Sequence, residues 1–219
     1  ISLDDYTIED HFDVDPHPSV IEVNQNEDIV YIGFDIAAQY KLASMAAYGL
    51  STHNKLWEND SPFIEMVVAD GNIGRRVYTT SRFVLIGNDQ YIACLKKPGL
   101  HVLIIDAISG EQVKTFSWPG ENVANLTPSV TKDTLFVQSW SSDSLSFYKI
   151  DSYTHTVLDA VVIPNPHPML GAYEWQDNLA VNYSGTKMFL ELLNLDFAGI
   201  AVLVDFETND YKIIEQGVN

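Results

Sequence analysis

Leu103-Ile104-Ile105-Asp106-Ala107-Ile108-Ser109-Gly110-Glu111-Gln112-Val113-Lys114-Thr115-Phe116 reads as a strand, a tight polar turn and a second strand. Apolar and β-branched runs bounded by Asp, Ser and Gly are the signature of short antiparallel strands. The same order returns twice. Phe147-Tyr148-Lys149-Ile150-Asp151 is followed by Ser152-Tyr153-Thr154-His155 and Thr156-Val157-Leu158, and Leu203-Val204-Asp205 by Phe206-Glu207-Thr208-Asn209 and Tyr211-Lys212-Ile213-Ile214. Each copy places Ser or Thr three positions after its Asp.

Upstream of each copy lies an acidic turn that opens an apolar run. Asp89 precedes Tyr91-Ile92-Ala93-Cys94, Asp133 precedes Leu135-Phe136-Val137, and Asp177 precedes Leu179-Ala180-Val181, at equal intervals of 44 residues. Asn24 to Asp28 opens the similar run Ile29-Val30-Tyr31-Ile32. Intervals in this range mark arrays, because one unit cannot bury its apolar face alone and stacks on its neighbours. From turn to hairpin Asp the distance is 17 residues in the second unit, 18 in the third and 28 in the fourth, which predicts an irregular fourth unit with one strand to spare. Proline supplies a third mark. Asp15-Pro16-His17-Pro18 and Asn165-Pro166-His167-Pro168 lead into apolar segments, with Thr127-Pro128-Ser129-Val130 a weaker echo. Proline lacks the donor a central strand needs and belongs in the lead-in to a unit.

The first unit departs from this order. Ile36, Tyr40, Ala43, Ala47 and Leu50 fall near helical spacing, so residues 36 to 50 are expected to form a short helical insertion. The reading is an all-β antiparallel β-propeller, or a segment of one, of about four four-stranded units. It assigns residues 1–15 to an acidic arm and 16–219 to the propeller-like domain.

The layout resembles β-propellers of the quinoprotein-like and YVTN-repeat type, with Ile104-Ile105-Asp106-Ala107-Ile108-Ser109-Gly110 as its best match and residues 81 to 163 as its span. The resemblance implies blades whose outer strands are joined by an apolar-Asp-x-x-Ser/Thr-Gly hairpin. His155 and Asn209 stand where the glycine would be, which leaves the turn type of those two hairpins open. No regular tryptophan-docking motif accompanies the repeat.

A chain of 219 residues buries about 70% of its unfolded surface on folding, enough for one domain. Four units suit a small ring or part of a longer polypeptide, and beginning at Ile1 suggests that something has been removed. Net charge is −18, with ten Asp or Glu and no Lys or Arg in residues 1 to 40. Such a surface repels phosphate backbones, which excludes nucleic acid as a partner. No apolar stretch approaches a membrane span. Cys94 is alone and sits in an apolar run, as a buried structural thiol does. Sequons at Asn59, Asn125 and Asn182 point weakly to an extracytoplasmic or secreted setting.

Catalytic patterns are absent. Ser184-Gly185 lacks the first glycine of a nucleophile elbow, and Gly71-Asn72-Ile73-Gly74-Arg75-Arg76 lacks the phosphate-loop lysine. Asp15, His17 and His167 combine hard oxygen and imidazole donors for calcium or zinc near a propeller axis, although neither the calcium-loop nor the zinc spacing is present. A rigid Pro-His-Pro connection explains the same residues. Surface recognition has the better support. Connections between blades and second-to-third strand turns gather on one face, which brings Trp118, Trp140, Asp143, Lys96, Lys97 and His167 together. Aromatic residues there bury large areas at low entropic cost, unless they pack between blades. The expected function is therefore a non-enzymatic module that recognises a protein or peptide without a cofactor, with a metal-dependent hydrolase or lyase as the alternative.

Overall fold

The computed structural model describes residues 11, 13–14, 18–24, 28–34, 45–59, 83–96, 101–166, 179–193 and 199–215. These form four antiparallel sheets of four strands, each ordered as in the chain. The first blade comprises β1 (Pro18–Asn24), β2 (Ile29–Phe34), β3 (Met45–Gly49) and β4 (Lys55–Asn59). The second comprises β5 (Phe83–Ile86), β6 (Tyr91–Lys96), β7 (His101–Asp106) and β8 (Gln112–Ser117). The third holds β9 (Asn122–Pro128), β10 (Thr134–Trp140), β11 (Ser144–Asp151) and β12 (Val157–Pro164), and the fourth β13 (Leu179–Val181), β14 (Lys187–Leu193), β15 (Gly199–Asp205) and β16 (Asp210–Glu215). The architecture is all-β and propeller-like, as the sequence predicts.

One carboxylate explains the hairpin mark. Asp106 Oδ1 accepts the N–H groups of Ile108 and Ser109 at 3.1 and 2.8 Å, and Asp151 Oδ1 those of Tyr153 and Thr154 at 2.9 and 2.7 Å. Asp205 Oδ1 does the same for Glu207 and Thr208. A short carboxylate satisfies the turn's own donors and so fixes its path. The chain then needs a residue in the left-handed region. Gly110 (φ 73°), His155 (φ 53°) and Asn209 (φ 52°) all supply it, so the three hairpins share one turn despite three residue types. In the first blade His53 (φ 59°) occupies that place, with Gly49 where the others have Asp.

A second recurring bond ties the inner and outer turns. The N–H groups of Leu50, Ala107, Ser152 and Phe206 donate to the carbonyls of Asp28, Gln90, Asp133 and Thr186 at 2.8 to 3.0 Å. This corrects the fourth unit. Leu179–Val181 is the first strand of its blade, not the second, and the turn equivalent to Ser129–Asp133 is Asn182–Thr186, so Asp177 matched by interval alone. Tyr91, Thr134 and Lys187 pair with Asp106, Asp151 and Asp205 respectively, which makes the fourth blade regular and removes the surplus strand. Pro128 likewise ends β9 instead of leading into it.

The predicted helix fails over its described part. Met45–Gly49 is β3, hydrogen-bonded between β2 and β4 and buried along its whole length. A strand covered on both faces shows a continuous run of Met, Ala and Tyr with no alternation, and that run passes for the face of a helix. Among the described residues there is no helix; residues 36 to 44 lie outside them.

Alternate residues of each middle strand face opposite neighbours. Ile29, Tyr31, Met45 and Ala47 pack with Phe83, Leu85, Ile92, Cys94, Leu103 and Ile105 between blades one and two. Ala93, Val102, Ile104 and Phe116 meet Leu135, Val137, Tyr148 and Ile150 between blades two and three. Phe136, Phe147 and Val161 meet Met188, Leu190, Val202 and Val204 between blades three and four. Each fully buried Leu, Ile or Phe contributes about 1.5–3 kcal/mol, so these three layers hold the array together. Val30, Ile32, Phe34, Ala46 and Tyr48 form a fourth layer on the far face of the first blade, with Val14 and Leu50 against it. Among the described residues no layer joins blade four to blade one. Val14 thus rests on the first sheet even though it belongs to the expected arm of residues 1–15, whereas His11 and Asp13 are exposed.

Candidate recognition surface

The end of the array that carries the β10–β11 turn and the connections between blades gathers several of the predicted residues. Trp118 follows β8 and stacks on Tyr148 at 4.4 Å between ring centroids and 21° between planes, with Phe116 parallel on its flank at 5.9 Å. It is half-buried and spans blades two and three. Beneath it the Glu121 carboxylate accepts hydrogen bonds from the hydroxyls of Ser146 and Tyr148, both at 2.9 Å, and from that of Ser139. Burial and this neighbouring carboxylate push the Tyr148 phenol up to about 12, so it stays a neutral donor at physiological pH.

Trp140 ends β10, half-buried against the layer between blades three and four. Asp143 is exposed in the turn Ser141–Ser144, and its carbonyl accepts the Asn165 N–H at 2.9 Å while Asn165 Nδ2 donates to Ser141 O at 3.0 Å. That clamp explains the Asn165-Pro166 lead-in, which pins the exit from the third blade to its own turn. Lys96 ends β6 at the same end of the array. Its side chain, together with Lys97 and His167, lies outside the described residues. Asp15 and His17, the other proposed metal ligands, lie outside them too. Among the described residues no three His, Cys, Asp or Glu side chains are grouped so as to hold a metal ion.

Sequence reasoning missed the edge of the third blade. β12 reads Val-Leu-Asp-Ala-Val-Val-Ile-Pro, and Val157, Leu158, Ala160 and Val162 are exposed. Ala160 pairs with Tyr148 and Val162 with Ser146, so their side chains continue the surface on which Trp118 lies. The outcome is an apolar strip running from Trp118 over Tyr148 to Ala160 and Val162. Lys114 flanks it, with Nζ 5.9 Å from the centre of the Phe116 ring. Among the described residues nothing pairs with the outer edge of β12, so one row of its backbone donors and acceptors is open. The alternation in Ala160-Val161-Val162-Ile163 was the available signal, with buried and exposed positions both apolar.

At the opposite end, the inner turns form a polar cluster that sequence reasoning also missed. Lys132 in the β9–β10 turn is ion-paired with Asp89 in the β5–β6 turn, and Asn24 Nδ2 donates to the Asp89 carbonyl at 3.5 Å. Burial lifts the Glu22 carboxyl above its ordinary value, against the pull of Lys132 and with the help of Asp89. The cluster joins three blades across their inner turns.

Cys94 is fully buried, and burial raises its thiol well above the ordinary value, which makes it inert. Asn125 is buried, and Asn182 closes its own turn by donating to Ser184 Oγ and Thr186 Oγ1 and accepting two backbone N–H groups. Ser184 is therefore part of a strand-connecting turn. No helix among the described residues is long and apolar enough to cross a membrane.

No protein-family model matches the chain, and no curated protein matches it in sequence. Among solved structures it is similar to Kuenenia stuttgartiensis hydrazine synthase, with a TM-score of 0.58 and 13% identity over 92% of this chain. The likeness is one of fold. The chain spans 54% of that structure's length.

Proposed function

We propose that this chain is a non-enzymatic recognition or scaffold module that takes up an extended segment of a partner protein between its second and third blades. The observation that carries the reading is the apolar strip of Trp118, Ala160 and Val162 beside an unpaired strand edge. An extended peptide adds to such an edge through main-chain hydrogen bonds, while its alternate side chains meet the strip. Trp118 offers a rigid aromatic face, held by Tyr148 and Phe116, and rigidity limits the entropy lost on binding. Lys114 beside the strip favours a peptide with an acidic residue near its apolar positions. Asp143 and the Asn165 clamp shape the rim. The finer assignment to quinoprotein-like or YVTN-type blades is supported by the Asp-centred hairpins of blades two to four.

Panning a displayed random-peptide library against the folded protein tests this. Apolar-alternating sequences are expected to be enriched, and their affinity to fall by at least about tenfold in Trp118→Ala and Val162→Lys. Enriched peptides that bind both variants as tightly as the parent would refute the site.

A further inference from the structure

The four sheets present equivalent faces in one direction, and three of those faces are closed by the blade that follows. Alignment by the shared turn bonds makes Tyr31, Ala93, Phe136 and Phe189 equivalent residues on the second strands. Relative exposure is 0% for the first three and 41% for Phe189. On the fourth strands, Phe116 is 9% exposed and Val161 2%, but their equivalent Ile214 is 48% exposed. Between these, Leu203 and Ala201 on β15 pair with Phe189 and with Ile214 respectively, and both are only half-buried. Phe189, Leu203, Ala201 and Ile214 therefore make a contiguous apolar face on the fourth sheet where its predecessors have an interior. On the far face of the first blade, by contrast, Val30, Ile32, Phe34, Ala46 and Tyr48 are all buried, and among the described residues only a hollow lined by Val14, Ile21, Val30, Ile32 and Leu50 remains there.

We propose that this face seats a further four-stranded β-meander, carried by polypeptide outside these 219 residues. Continuity with the existing interfaces identifies the occupant. Phe136 is covered by the fourth blade, whose Phe206 ring lies 5.7 Å from it and whose Gly185 approaches its edge, and Phe189 presents the same aromatic one blade later. A sheet with an alternating apolar face, packed about 10 Å away, fits a surface of this shape as the fourth blade fits the third. A second copy of this chain adding head to tail would have to offer the face of its first blade, where Val30, Ile32, Phe34, Ala46 and Tyr48 are already buried.

Repeating residues 165–215 directly after Glu215 supplies a meander known to close over an aromatic at this position. The extended chain is expected to melt in one transition, about 5 °C or more above the 219-residue chain, with the gain removed by Phe189→Asp in the first copy. Meanwhile the unextended chain is expected to sediment as a monomer and to bind an apolar fluorescent dye, with the dye signal lost in its own Phe189→Asp variant. Three results would each overturn the proposal: an added copy that exchanges its amide hydrogens freely and leaves the melting temperature unchanged, dye binding unaffected by Phe189→Asp, or a dimer of the unextended chain abolished by that substitution. The last would assign the face to a second copy.

Discussion

Replacing Gly110 by Ala separates two costs that the structure places on one residue. Gly110 has φ 73°, and a Cβ built there would stand 2.6 Å from the indole of Trp57. Gly120 has φ 81°, yet nothing lies within 4 Å of the equivalent point. Both substitutions carry the left-handed backbone cost of about 1–2 kcal/mol, partly offset by about 0.4–1 kcal/mol from the stiffer unfolded chain. Only Gly110→Ala also forces an indole aside. That indole is held by Nε1 donating to the Ala107 carbonyl at 3.1 Å, next to Asn59 Nδ2 on the Gly110 carbonyl at 2.7 Å. Displacing a packed ring costs about 1–3 kcal/mol more. Gly120→Ala is thus expected to lose about 1 kcal/mol, and Gly110→Ala about 2–4 kcal/mol, a difference of several degrees in melting temperature for a chain of this size. Urea unfolding followed by tryptophan fluorescence measures both, and Trp57 emission should shift to the red in Gly110→Ala alone. Equal losses in the two variants would refute the contact between the first blade's β4 and the second blade's hairpin.

Glu121→Gln keeps the side-chain shape but removes the charge that three hydroxyls share, so a loss of about 2 kcal/mol is expected, together with a red-shifted Trp118 signal at low denaturant. His155 is packed edge-on against Tyr91 at 4.5 Å, and burial depresses its pKa. The unfolded chain takes up that proton first, so its stability contribution is intact above about pH 6.5 and falls as pH drops through the folded value; urea midpoints at successive pH values should show this slope, flattened in His155→Asn. Asp133 is depressed by the Ser129 hydroxyl and Asp151 by the Thr154 N–H. Their contributions exist above about pH 4 and vanish as pH falls through the folded values, so Asp133→Asn should lower stability at neutral pH and flatten its loss below about pH 4, read from urea midpoints at successive pH values.

Blades two and three were legible because local and long-range demands coincide there. The Asp that shapes each hairpin turn also starts the pairing with the preceding strand, and both features leave fixed letters in the chain. In the first blade Gly49 stands where the others have Asp and the carboxylate comes instead from Asp28, whose Oδ2 accepts the Ser51 N–H at 3.1 Å, and β3 is too deeply buried to alternate. The fourth blade keeps Asp205, but its inner turn is closed by the amide of Asn182, while an unrelated Asp177 happens to fall at the right interval. Trp118, Trp140 and Asp143 lie where strand order alone puts them, after β8, at the end of β10 and in the β10–β11 turn. What spacing could not convey is the half-burial of both indoles, because stacking on Tyr148 depends on the twist between neighbouring sheets. The Lys132–Asp89 pair joins residues 43 apart through the curvature of the array, and β12 hides its open edge behind a composition shared with interior strands.

Because, among the described residues, the three layers between blades join only consecutive sheets, mechanical load applied between the chain's two ends would not be shared evenly. Among the described residues the fourth sheet is gripped on one side alone, so it should detach first and leave the other three able to re-seat it. Under tension the molecule would then behave as a ratchet of graded steps, with the terminal sheet its weakest tooth.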